Sequence, residues 1–169
     1  MNRLDKTILG RNVKALREAV GISQHDFSAL IEISKRSLAS IELGTTNISA
    51  DLLSNISSFY NLSIDELTDK NVKIESNFRD KIIEFHKENY AYQIILNKRP
   101  NLTYAINYNL LNSGFLDRQR EISEIKLFFE KTGWTYLGTS ISNALKREKD
   151  KIKIEPHLSK KGTFVYSKR

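Results

Sequence analysis

Twenty-four residues near the start of the chain, Gly21 to Gly44, constrain its fold more than any other stretch: GISQHDFSALIEISKRSLASIELG. Phe27, Leu30 and Ile31 fall on one side of a first short helix, and Leu38 and Ile41 on one side of a second. Ser23 and Ser34 stand where N-caps are needed. Asp26, three residues after Ser23, makes an acidic variant of the capping box. Few residues separate the two helices, so the turn between them must be tight. The second helix opens on Ser34, Lys35, Arg36 and Ser37, whose hydroxyl and cationic groups can contact phosphates or base edges.

Helical signals continue on both sides. Ile8, Leu9, Val13, Leu16 and Val20 share a face and predict a helix over Lys6–Val20, with Gly21 as its C-terminal stop. A fourth helix follows Ser49 and turns Leu52, Leu53, Ile56 and Phe59 inward. Ser63 and Glu66 form a capping box for a short fifth helix ending near Thr68. Helices this short are marginal alone in water, so they must pack on one another. Residues 1–69 therefore read as a five-helix domain. Residues 70–77, polar and without periodicity, read as a linker, and 78–169 as a second domain.

The order, spacing and residue types of the first part resemble the Cro-type phage repressor helix-turn-helix family, also called Xre. The likeness covers about residues 8–68. It rests on Leu16-Arg17, Gly21-Ile22-Ser23-Gln24, Ile33-Ser34, Leu38, Ile41-Glu42, Gly44 and the ending Leu62-Ser63-Ile64-Asp65-Glu66-Leu67. The resemblance implies that Lys35, Arg36, Ser37 and Ser40 face bases in the major groove. It implies that Ser23, Gln24 and Ser34 meet phosphates, and that Arg17 and Glu42 pair to tie the first helix to the third. Arginine's planar fork matches guanine O6 and N7, and lysine reaches the same acceptors less rigidly. Such proteins bind double-stranded DNA, commonly as homodimers on near-palindromic operators. Three positions depart from the family pattern. The tight turn carries Glu32 where glycine is frequent, which calls for a left-handed backbone at a side-chain-bearing residue. Ser28 replaces a small alanine. Thr45-Thr46-Asn47 lacks the basic residues often found after the recognition helix.

Charge is uneven. Residues 1–70 hold 8 Lys/Arg against 9 Asp/Glu, and residues 146–169 hold 9 against 3. A basic surface attracts polyanions, and here it lies outside the recognisable motif. The second half reads as a helix over Phe78–Leu96, stopped before Pro100, then helices over about 102–111, 117–131 and 139–147. The period then changes to strand-like alternation at Lys151–Glu155 and Thr163–Tyr166, around a Ser159-Lys160-Lys161-Gly162 turn. The expected fold class is mainly α: a five-helix helix-turn-helix domain, then an α+β domain ending in a β-hairpin with the outline of a winged helix. Asn143, Lys146 and Arg147 on its last helix, with Lys160 and Lys161 on the hairpin, form a candidate second DNA contact. Dimerisation through Phe78–Phe129 is the competing role, and the two are compatible. An antitoxin-like chain that masks a protein partner with residues 78–169 and represses its own promoter is the alternative reading.

Other classes find little support. The absence of cysteine removes thiolate catalysis, disulfides and cysteine-ligated metals. His25, His86 and His157 are isolated, and no His-Glu-x-x-His or Gly-x-Ser-x-Gly sequence occurs. No enzyme activity, metal or cofactor is expected. No apolar run approaches the ~20 residues of a membrane span, and a cytoplasmic location is expected.

Overall fold

Each helix of the first part begins on a side chain that satisfies its free N–H groups. In the computed structural model, which describes residues 5–169, Asp5 accepts from Thr7 and Ile8 at the start of α1 (Lys6–Val20). Residues 1–4 of the expected first domain lie outside the described chain. Ser23, Ser34 and Ser49 cap α2 (Gln24–Leu30), α3 (Lys35–Glu42) and α4 (Ala50–Tyr60) in the same way. Ser63 and Glu66 close a reciprocal capping box on α5 (Ile64–Thr68). Gly21 takes the left-handed conformation that ends α1.

The helices lock through contacts that tolerate little change. A Cβ on Gly10 would stand 2.1 Å from the Ile41 carbonyl oxygen, so only glycine lets α1 lie this close to α3. Phe27, Phe59 and Tyr60 fill the centre, with ring centroids 5.0–5.3 Å apart. Asn12 donates its amide N–H groups to the Leu67 and Asp69 carbonyls, which fixes the end of α5.

Residues 78–98 belong to this first compact unit, which runs to Lys98; the second begins at Arg99. The sequence placed that division at 70–77. Buried Arg79 draws the segment in: its guanidinium donates to the Val20 carbonyl, which ends α1, and to the Leu96 and Lys98 carbonyls at 2.7 and 3.0 Å. The single helix expected over Phe78–Leu96 is two, α6 (Phe78–Phe85) and α7 (Tyr90–Leu96). His86 stacks on Phe59 at 5.1 Å and hydrogen-bonds its carbonyl through Nε2 at 2.8 Å, and Asn89 starts a new N-cap.

The second unit has its own core of Ile106, Leu110, Leu116, Ile125, Phe129, Ile141, Leu145, Ile152 and Tyr166. Its first helix, α8 (Leu102–Tyr104), widens into a π-helical stretch over Ala105–Leu110. That widening puts Ile106, Leu110 and Leu111 on one buried side. The helix expected from 117 begins only at 122. Before it come a 3-10 turn (Phe115–Asp117) and a two-residue strand, β1 (Arg120–Glu121), which the sequence did not reveal. Then follow α9 (Ile122–Lys131), α10 (Gly138–Arg147), β2 (Ile152–Pro156) and β3 (Phe164–Lys168). The antiparallel sheet has order β1-β3-β2, with Tyr166 opposite both Arg120 and Ile154.

Candidate nucleic-acid interface

α3 buries Leu38, Ile41 and Glu42 and turns its other side outward. Arg36, Ser40 and Leu43 recur at four- and three-residue intervals, which aligns them on that outer side. Lys35 and Arg36 are exposed and make no hydrogen bond or ion pair among the described residues. Ser34 accepts from the Ser37 N–H at 3.0 Å, and the two hydroxyls lie 2.8 Å apart. Ser40 is half-buried, with its carbonyl accepting from Thr45. Leu43, 74 % exposed, completes the row and was missed from the sequence. Its position seven residues after Arg36 was the available signal. An apolar side chain there matches the thymine methyl in a major groove.

The outward helix stands on a buried ionic support. Arg17 Nε lies 2.6 Å from Glu42 Oε1, and Nη2 lies 3.0 Å from Oε2. Arg17 Nη1 also donates to the Ile22 carbonyl at 3.0 Å. Burial opposes the Arg17 charge, but the bond and field of Glu42 outweigh it and raise the guanidinium pKa above its ordinary value. Gln24, expected at a phosphate, donates its amide to Glu42 Oε2 at 2.9 Å and so joins this network. Ser23 caps α2 and donates its hydroxyl to Asp26 at 2.6 Å. The tight turn before α3 holds Glu32 at φ 56°, and the Ser28 hydroxyl donates to the His25 carbonyl at 2.9 Å.

In the second unit α10 buries Ile141 and Leu145 and exposes Thr139, Asn143, Lys146 and Arg147. The two lysines of the hairpin differ. Lys160 pairs with Glu121, whose Oε1 also lies 3.4 Å from His157 Nε2, whereas Lys161 is exposed with no such partner among the described residues. Among the described residues no group of three or more His, Asp or Glu side chains is placed to hold a metal ion, and no helix is long and apolar enough to cross a membrane.

A capped helix pair with a tight turn, and a second helix displayed outward, define a helix-turn-helix domain, a DNA-binding regulatory class. Residues 13–67 match the helix-turn-helix family model, in agreement with the Cro/Xre-type pattern. The chain is also 34% identical over 56 residues to the antitoxin PezA of Streptococcus pneumoniae serotype 4 (strain ATCC BAA-334 / TIGR4). That match spans 33% of this chain and 35% of the relative, so about a third of the relative's length is covered. No solved structure matches the chain.

Proposed function

We propose that the protein is a sequence-specific regulator of transcription, a repressor, which inserts α3 into the major groove of double-stranded DNA. The observation that carries this reading is the outward row Arg36-Ser40-Leu43, with Lys35, unpaired among the described residues, beside it, on a helix fixed from behind by Arg17 and Glu42. Arg36 and Lys35 read guanine, Ser40 and Ser37 supply hydroxyls, and Leu43 meets a thymine methyl. Ser23, Gln24 and Ser34 lie at helix starts, where N–H groups and side chains meet phosphates and set register. The protein acts without a catalytic step, in the cytoplasm, as a homodimer on a near-palindromic operator. Selection of bound duplexes from a random pool tests this reading. A recurrent motif supports it; a pool that stays random contradicts it.

Residues 1–98 carry 13 Lys/Arg and 13 Asp/Glu, so this unit has little net attraction for DNA. Phosphate binding supplies most non-specific affinity. The missing affinity comes from dimerisation or from the C-terminal unit, which we read as a winged helix.

The likeness to an antitoxin favours a second reading, in which residues 78–169 bind a partner protein and the first unit represses the shared promoter. Phe85, Tyr90 and Ile94, all large and at least half exposed, are candidate contacts. A stoichiometric partner that co-purifies from the native host and is released by Tyr90→Ala supports this reading. Purification as a single chain contradicts it.

A further inference from the structure

The whole formal net charge of +7 belongs to residues 99–169, which hold 14 Lys/Arg against 7 Asp/Glu. Five of the seven acids in this unit are matched locally. Glu121 holds Lys160, Glu124 holds Arg120 at 3.0 Å, and Glu130 lies 3.6 Å from Lys126. Glu148 holds Lys151 at 3.1 Å, and Glu155 holds Lys153 at 2.9 Å. None of these pairs uses Lys146, Arg147 or Lys161, which are exposed and without hydrogen bonds or ion pairs among the described residues. Lys146 and Arg147 at one end of α10 and Lys161 on the hairpin turn are thus part of the unit's unmatched positive charge, together with exposed Arg118, Lys131 and Lys149, which also lack an ion pair among the described residues.

The carrier of that charge is built to hold its shape. Ile141 and Leu145 anchor α10 in the core, and Ser142 shares a hydrogen bond of 2.9 Å with the Tyr166 hydroxyl on β3. The face opposite this anchorage presents Asn143 at its centre, flanked by Thr139, Lys146 and Arg147. It contains one amide, one hydroxyl and two cations and no carboxylate. A ten-residue helix is about 15 Å long, and the major groove, about 12 Å wide, admits it. Asparagine pairs with adenine N6 and N7, and arginine with guanine O6 and N7. A face that only attracted phosphates would need neither the asparagine nor its central place.

We propose that residues 99–169 are a second reader of duplex DNA. α10 enters the major groove with Asn143, Lys146 and Arg147 toward the bases, and Lys161 on the hairpin binds a flanking phosphate. α3 and α10 present different side chains, so one chain recognises two unlike sequence blocks on one duplex. The second block rests on α10 alone. That two blocks occur together rests on the reading of α3 given above.

The test is duplex selection from a random pool with the full chain, a Lys35→Ala/Arg36→Ala variant and an Asn143→Ala/Arg147→Ala variant. The wild type should select two unlike blocks. The α10 variant should lose one and keep the other, and the α3 variant the reverse. Substituting Lys161 by alanine should lower the slope of log affinity against log salt by roughly 0.9, the contribution of one neutralised phosphate. Arg147→Lys should keep the slope and still lose preference at one base pair by about tenfold. All these positions are exposed, so thermal unfolding of the variants should match wild type. A single inverted repeat that survives the α10 substitutions, with an unchanged salt slope, overturns the proposal and leaves the reading of α3 intact. Capture of an acidic protein by the α10 face, with no second DNA block, also overturns it. If the α3 variant keeps every preference while the α10 variant loses its own, α3 has been misread and the second reader stands.

Discussion

Arg17 and Glu42 form a buried two-point ion pair, with nitrogen–oxygen distances of 2.6 and 3.0 Å and side-chain exposures of 7% and 3%. The pair joins the helix that carries the core to the helix that faces outward. Removing one partner strands the other charge, which costs about 3–5 kcal/mol. Glu42→Ala should therefore lower unfolding free energy by that amount in urea titration. Replacing both residues by apolar ones of similar size should cost less than the single change. A double loss equal to the sum of the two single losses would show that the charges do not depend on each other.

Asp26 gives unit 1 a defined acid sensitivity. Partial burial works against its ionised form, yet the Ser23 hydroxyl and Lys98, 3.0 Å away, hold its pKa below the ordinary 3.8. A carboxylate lowered on folding stabilises the fold above its unfolded pKa, and that gain fades as pH falls through the lowered folded value. Asp26→Asn should therefore be less stable than wild type near neutral pH, with the gap closing below pH ~4. A difference constant from pH 7 to pH 2, measured by denaturant titration, would contradict the assignment.

Glu32 sits at φ 56°, a left-handed conformation that glycine adopts without strain. Its side chain is exposed and makes no bond among the described residues. Relief of roughly 1 kcal/mol of backbone strain should exceed the extra freedom that glycine gives the unfolded chain. Glu32→Gly should raise the urea midpoint at an unchanged slope. A lowered midpoint would mean that the side chain contributes a favourable interaction.

The first five helices were legible because their boundaries are set by neighbours in sequence. Ser23, Ser34, Ser49 and Ser63 cap within three residues, and Gly21 stops α1 by its own conformation. The break between α6 and α7 was not legible, since it depends on His86 meeting Phe59, 27 residues earlier. The unit boundary was misplaced for the same kind of reason: Arg79 looks like a surface cation until its carbonyl partners at Val20, Leu96 and Lys98 come together. β1 is two residues long and exists only by pairing with β3. At the candidate interface, Lys35, Arg36 and Ser40 were expected from the family resemblance. The engagement of Gln24 by Glu42 and the outward face of Leu43 required the packed helices.

The reading of α3 is tested most directly by the base preference of Arg36→Ala on a duplex selected by wild type. Arg36 is exposed, so folding should be unaffected. Discrimination at one base pair per half-site should fall by about 1–3 kcal/mol, or roughly 5- to 150-fold, while preferences elsewhere in the site persist. Uniformly weaker binding with every preference intact would contradict the account and place Arg36 on the phosphate backbone.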